Sequence, residues 1–528
     1  MMFYYFKVYL LGMKKSQIVL INHQGLKLVS GIQIQTPTPP IGLAYIGAYI
    51  KKYGYDYTAI DACGEALSQV CKVETGSDLL LQGLTPKEVL NKVPKDVKIV
   101  GLTSLFSHAW FLARNIALDI KKLYPDCKIV VGGEHPTAIP EDTLKNDFID
   151  LVILGEGEET FLNFVQCIDK GEDYKNINGI AYRNEKGDIV KTERRARISK
   201  IDDIPYPDWN NWSINNYIEH QQISGVNLGR GIPILGTRGC PYECTFCSND
   251  KMWTKRFVMR SPEKIVDEME FMKKKYNVKA FSFMDSTFIV NNRKVIEFCE
   301  ALIRRNLGIV YQLPAGTRCE AINKKLVNVL AKSGLEKLSL APESGSEEIR
   351  NVIKKKINYS KFINAIKMLN KSKITVGCFI VIGFPEDNKK TLWLTSKMIF
   401  KLALLGVDDI TVSQFAPYPG SQIYDELRER KELDGNLEEV SDIISFYSKR
   451  LRSYSKQLSP KFIHYVMYFM FIQFYGISFL VRPWRPIINF FNYIFNNVEK
   501  ANYIRFLSEI LFTRKKFIKG LTNSDFDK

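Results

Sequence analysis

Cysteine is scarce in this chain: ten in 528 residues, too few for a secreted fold stapled by disulfides. Acidic residues are in deficit. Against 74 Lys and Arg stand 57 Asp and Glu, a formal charge of +17 that favours anionic partners without choosing among headgroups, phosphates and nucleic acid. The apolar stretch 1–12, followed by Lys14 and Lys15, lacks a basic n-region and a small-residue cleavage site. It reads as a short extension and not a signal peptide, so the thiols are expected in a reducing cytoplasm. With 45% apolar and 25% charged residues, a disordered, collagen-like or coiled-coil chain is excluded. The length allows about three or four domains.

From 15 to 170, short apolar runs (18–22, 57–61, 98–103, 128–131, 151–154) alternate with helical stretches at 42–53 and 111–123. Strands alternating with crossover helices predict a parallel sheet covered on both faces, with ligands beyond the carboxyl ends of its strands. Small residues crowd the loops expected there: Pro39 to Gly42, Thr103-Ser104, Gly132-Gly133 and Gly155 to Glu158. Residues 171–231 are polar and turn-rich, a linker with a small hairpin at 179–190.

A second α/β pattern fills 232–425, with apolar runs at 232–237, 279–284, 309–313, 337–341, 374–382 and 409–415. Six βα units fall short of a closed eight-stranded barrel and predict an open, partial one, with reactive groups at the C-terminal strand ends. The region 426–528 is expected to be helical and aromatic. Its run 464–481 carries no Asp, Glu, Lys or Arg and is flanked by Lys461, Arg482 and Arg485, with Arg514, Lys515, Lys516 and Lys519 beyond. Core packing, an interfacial helix and a membrane span all fit that pattern.

Three cysteines fall within eight residues. Cys240, Cys244 and Cys247, spaced C-x3-C-x2-C, directly follow the first predicted barrel strand. Soft thiolates at this density hold zinc or an iron–sulfur cluster. A structural zinc wants four protein ligands, and neither His nor Cys occurs between Cys247 and Cys299. Three thiolates on a four-iron cluster leave one iron free for a small chelator.

With Phe246 before the last cysteine, this loop resembles that of the radical SAM superfamily, whose fold is a partial (β/α)6 barrel. The resemblance implies a [4Fe-4S] cluster on Cys240, Cys244 and Cys247, with S-adenosylmethionine (SAM) chelating the open iron and reductive cleavage releasing a 5′-deoxyadenosyl radical. It places SAM contacts at Asp285, Arg318, Glu343, Ser344 and Gly383, the last within Gly383-Phe384-Pro385-Glu386. Arg318 and Glu343 equally suit a barrel-rim ion pair. In the N-terminal half, Pro39-Pro40-Ile41-Gly42-Leu43, Val131 to Pro136 and Gly155-Glu156-Gly157-Glu158 resemble the cobalamin domain of class B radical SAM methyltransferases and of the anaerobic magnesium-protoporphyrin monomethyl ester cyclase. This implies cobalamin contacts at Pro39, Gly42, Asp61, Ser104, Gly132, Gly133 and Gly155. Where related domains carry Asp-x-His, this chain has Asp61-Ala62-Cys63, so no protein histidine is expected on cobalt.

The implied fold is α/β: a Rossmann-like cobalamin domain, a radical SAM barrel and a helical C-terminal region. The implied reaction is C-methylation of an unactivated carbon. Alternatives are a radical cyclisation or rearrangement without methyl transfer, and an RNA methylthiotransferase, which would need a second three-cysteine site and an RNA-binding barrel. Expected partners are a small-molecule or lipid-linked substrate and an electron donor such as flavodoxin or ferredoxin, without specific nucleic acid. The expected location is cytoplasmic, with peripheral membrane contact through the C-terminal region.

Overall fold

The computed structural model describes residues 17–28, 37–73, 79–433 and 452–504. The N-terminal extension and the basic residues from Arg514 to Lys519 lie outside the described residues.

Thirteen of the strands among the described residues form two mainly parallel sheets, one of them with an edge hairpin. In the first, β1 (Gln17–Asn22) lies between β3 (Thr58–Asp61) and β6 (Val97–Thr103), followed by β7 (Lys128–Gly132) and β8 (Leu151–Ile153), all parallel. The central strands are buried on both faces, as in β1 with its four buried residues Ile18 to Ile21. That continuous burial explains the unbroken apolar runs. The strand order reverses between β1 and β6, so the ligand crevice of such a sheet lies beyond Asn22 and Thr103. Helix α1 (Ile41–Lys52) packs a face of small residues onto the domain; a Cβ on its Gly47 would fall 2.3 Å from the Tyr57 ring. Helix α2 (Trp110–Leu123) buries Trp110, Ala113, Ile116 and Ile120, spaced three or four apart, on the opposite side.

Two parts of this half depart from the sequence-based expectation. The hairpin β9 (Ile180–Arg183) and β10 (Ile189–Lys191) is present but is no linker: β9 pairs antiparallel with β8 and extends the sheet to seven strands. It covers what would otherwise be an open edge. A separate antiparallel sheet of β2 (Gly25–Leu28), β5 (Leu79–Gln82) and β4 (Val70–Lys72) was not foreseen. Its strands have three or four residues each, too short to show a period.

The segment before the barrel also does more than connect. Trp209 and Trp212 are buried, the Trp212 indole donates to the Tyr57 hydroxyl (3.2 Å), and Lys51 pairs with Asp208 (2.9 Å). Further on, Gln312 donates to the carbonyls of Ser224 and Val226 and accepts from the Val226 amide, closing one end of the barrel.

The barrel is a sheet of six parallel strands in sequential order, β11 (Gly231–Ile234), β14 (Ala280–Phe283), β15 (Val310–Thr317), β16 (Leu335–Glu343), β17 (Thr375–Ile382) and β18 (Asp409–Gln414). It remains open, as six units predict. Between β11 and β14, the short pair β12 (Thr237–Arg238) and β13 (Val258–Met259) brackets the cysteine loop. Helix α3 (Lys389–Leu405) starts at an Asn388–Thr391 capping box and stops at Gly406, whose φ of +92° favours glycine.

Helix α4 (Pro460–Val481) leans on α3 and β18 through Ile463, Met467, Met470, Phe474 and Ser478, and α5 (Trp484–Asn496) follows it. Among the described residues, α4 is the one helix long and apolar enough to cross a membrane.

Candidate functional site

Backbone geometry fixes the cysteine loop. Gly239 has φ +88°, and a Cβ there would strike the Arg256 carbonyl at 2.2 Å. The Cys247 amide turns back to the Cys244 carbonyl (3.1 Å), and the Thr245 amide donates to Ile353 O (3.2 Å). Phe246 meets Phe384 edge-on at 5.7 Å, and Phe384 packs on Phe415 at 5.0 Å. The aromatic of the motif thus ties the loop to the far strands of the barrel.

All three thiols are free, and Cys247 is the most exposed. Burial raises the thiols of Cys240 and Cys244, while Lys355 and Arg318 pull both toward thiolate, the form that ligates. Cys247 feels the charges of both other thiols, so the trio shares one locality. Among the described residues, no three His, Cys, Asp or Glu side chains are gathered for a single ion. Three free thiols on one loop, with Lys355 and Arg318 alongside to offset negative ligands, suit a cluster of iron and sulfide.

The strand ends around this loop hold the residues expected to meet SAM. Asp285, just past β14, is buried; its Oδ2 accepts from the Gly236 amide (3.2 Å), and its Oδ1 has no partner. Burial raises its carboxyl to about 7. An orphaned buried acceptor fits an incoming ammonium group. Glu343 ends β16 at φ +62°, a left-handed conformation uncommon for a side-chain-bearing residue at a strand end.

Glu343 and Arg318 do not pair with each other. Glu343 takes Lys355 (3.0 Å), whereas Arg318 takes Glu320 (3.1 Å) and stacks over Tyr242 at 4.1 Å. Ser344 bonds Thr395 (3.1 Å) behind the strand end, and the Gly383 amide donates to Asp387 (2.8 Å). Lys355 and Tyr242 were not legible beforehand, because each gains meaning only from its neighbour in space.

Ser104, Gly132 and Gly133 lie at the carboxyl ends of β6 and β7. The Ser104 amide donates to Gly132 O (3.0 Å), and a Cβ on Gly133, at φ +105°, would fall 2.6 Å from Ser104 O. Beside them His135 is buried and stacked on Trp110 at 5.1 Å, with both ring nitrogens unpartnered. Burial lowers its imidazole to about 3, keeping it neutral. Gly133 lets the two strand-end loops pack closely, and the orphaned ring of His135 beside them fits a polar ligand.

Pro39 precedes α1, and the Gly42 Cα faces open space. Asp61 accepts at Oδ1 from Asn22 (2.8 Å), the Gly64 amide (2.9 Å) and the Tyr217 hydroxyl (3.0 Å), while its buried Oδ2 has no partner. Burial raises it to about 6.

The two loop systems meet. Arg238, two residues before Cys240, is buried and reaches Glu156 (3.0 Å) and Glu158 (2.5 Å) of the Gly155–Glu158 loop, while Arg197 also holds Glu156 (2.7 Å). Burial would raise Glu156, but Arg238 and Arg197 outweigh it and hold the carboxyl below its usual range. Gly155 lies 3.3 Å, measured from its would-be Cβ, from Met252 O, and Glu134 accepts from Ser248. The crevice of the sheet therefore faces the cysteine loop.

The chain is similar to known proteins. The B12 binding domain family matches residues 28–165, and the Radical SAM superfamily matches 234–399. An uncharacterized methyltransferase of Pyrococcus horikoshii is 30% identical over 421 residues, covering 78% of this chain and 83% of that one. The anaerobic magnesium-protoporphyrin IX monomethyl ester cyclase of Rubrivivax gelatinosus is 30% identical over 409 residues, covering 76% and 69%. In structure, the chain resembles the radical SAM methyltransferase TsrM of Kitasatospora setae, solved with cobalamin and a [4Fe-4S] cluster (TM-score 0.61, 15% identity, 79% of this chain and 75% of that one). It also resembles the cobalamin-dependent radical SAM enzyme OxsB (TM-score 0.59, 18% identity, 84% and 59%).

Proposed function

Because the chain belongs to the cobalamin-binding radical SAM family, we propose that it is a methyltransferase that places a methyl group on an unactivated carbon. Its cofactors are a [4Fe-4S] cluster, SAM and cobalamin. When bound, the cluster supplies the electron that cleaves SAM, and the corrinoid carries the methyl group.

The chain's own residues do the positioning. Cys240, Cys244 and Cys247 would hold the cluster, with Lys355 and Arg318 favouring their thiolates. Asp285 would accept from the methionine ammonium through its free Oδ1. Glu343, held by Lys355, and Ser344, held by Thr395, would fix the nucleotide end, and Gly383, at φ +86° and packed on Ile463, would shape the turn beside it. Ser104, Gly132, Gly133 and His135 would cradle the corrinoid, with Pro39, Gly42 and Gly155 around its rim.

The observation that carries the reading is the Arg238 ion pair, which locks the Gly155–Glu158 loop of the corrinoid domain to the base of the cysteine loop. A substrate between the two loop systems would face both cofactors. The 30% identity to a cyclase keeps ring formation as a second reading. The test is to load the full chain anaerobically with iron, sulfide and cobalamin, add reductant and methyl-labelled SAM, and follow the label. Label recovered in the bound corrinoid supports methyl transfer. SAM cleavage with the corrinoid left unlabelled supports the cyclase-type reading.

A further inference from the structure

The outer surface of the C-terminal helices is apolar in a periodic way. On α5, Trp484, Ile487, Ile488, Phe491, Ile494 and Phe495 are all exposed and recur every three or four residues, making one stripe along the helix. On α4, Tyr465, Phe469, Ile472 and Leu480 are exposed, Ile472 by 72% and Leu480 by 83%. The outer face of α3 adds Trp393, Phe400 and Leu404. Large contiguous apolar patches of this kind mark interaction surfaces.

Charge says what the surface meets. Helix α3 carries exposed Lys389, Lys390, Lys397 and Lys401 and no acidic residue, and no Asp or Glu occurs from Pro460 to Asn497. A second copy docking by the same face would set these cations against their own equivalents. An anionic bilayer surface complements both features, since lysines reach headgroups while Trp and Tyr rings sit at the interface.

A span is a poor fit despite the length of α4. Its inner face is fastened to the barrel through Met467, Met470 and Phe474, with Tyr475 donating to Asp409 (2.6 Å) and Ser396 donating to Gln473 (3.0 Å). Crossing the bilayer would break these contacts and strip one edge of the barrel.

We propose that α3, α4 and α5 form a docking face that lays this enzyme on an anionic membrane surface, with the apolar stripe of α5 entering the headgroup layer. The inference does not depend on which reaction the site performs.

The test is vesicle flotation of the full-length, cofactor-loaded protein on phosphatidylcholine alone and on phosphatidylcholine with phosphatidylglycerol. The protein should float with the anionic vesicles and be released by alkaline carbonate. Each lysine near the surface contributes about fivefold, so Lys397→Gln with Lys401→Gln should weaken partition about 25-fold. Ile487→Ser with Ile494→Ser, both at exposed positions, should weaken it further while leaving cluster absorbance unchanged. Retention after carbonate would overturn the interfacial placement. Equal partition into neutral vesicles, or failure to float together with a self-association that the serine pair abolishes, would overturn the lipid assignment.

Discussion

Arg238→Met removes the cation that joins the two halves of the site. The guanidinium is buried and sits 3.0 Å from Glu156 and 2.5 Å from Glu158, with the Tyr45 and Trp253 rings 5.6 and 5.7 Å from its centre. Glu156 keeps Arg197, so the stranded charge is chiefly Glu158. Breaking a buried pair in this way costs about 3–5 kcal/mol, most of it the desolvated partner. Adding Glu158→Gln should return about half of the loss, a coupling of about 2 kcal/mol. The assay is anaerobic urea unfolding of the four proteins of that cycle, followed by tryptophan fluorescence, because Trp253 lies against the pair. A loss under about 1 kcal/mol, or single losses that add within about 0.5 kcal/mol, would refute the latch.

Other consequences follow from the same structure. Since Glu156 is held below its unfolded value by Arg238 and Arg197, its contribution is present above about pH 4.3 and is lost as pH falls through the folded value. Arg238→Met should therefore shrink the acid-induced loss of stability, read as the unfolding midpoint between pH 3 and 5 (roughly the carboxylate range). Asp61 behaves oppositely: its folded value of about 6 lies above the unfolded one, so its contribution is full below about pH 4 and is lost as pH rises through 6. Asp61→Asn should flatten that slope, worth about 3 kcal/mol for two units, and an unchanged profile would exclude burial as its cause. Gly133→Ala, which would place a Cβ 2.6 Å from Ser104 O and displace the strand-end loop, should lower corrinoid retention and leave iron content intact; equal loss of both would show general unfolding.

Much of the fold was legible because its strands are buried on both faces. Runs such as 18–22, 374–382 and 409–415 became β1, β17 and β18 with ends shifted by only a residue or two. The cysteine loop was legible because three soft ligands on a Gly-Pro turn have little other use. What escaped detection depends on partners distant in sequence. Glu156 and Glu158 lie in a loop read for its glycines, yet their carboxylates serve Arg238, some 80 residues on. Arg318 and Glu343 share a strand-end neighbourhood, but Glu320 and Lys355 each lie nearer. Trp209, Trp212 and Tyr217 sit in a polar, turn-rich stretch whose composition hides that they fill the space between sheet and barrel.

The most direct measurement is 5′-deoxyadenosine formation, with iron and corrinoid counted per chain, in reconstituted wild type and in Cys244→Ala under a strong reductant. The wild type should hold four irons and one corrinoid and cleave SAM, and the variant should lose iron and cleavage but keep the corrinoid. An iron-free wild type, or a variant that still cleaves SAM, would contradict this expectation.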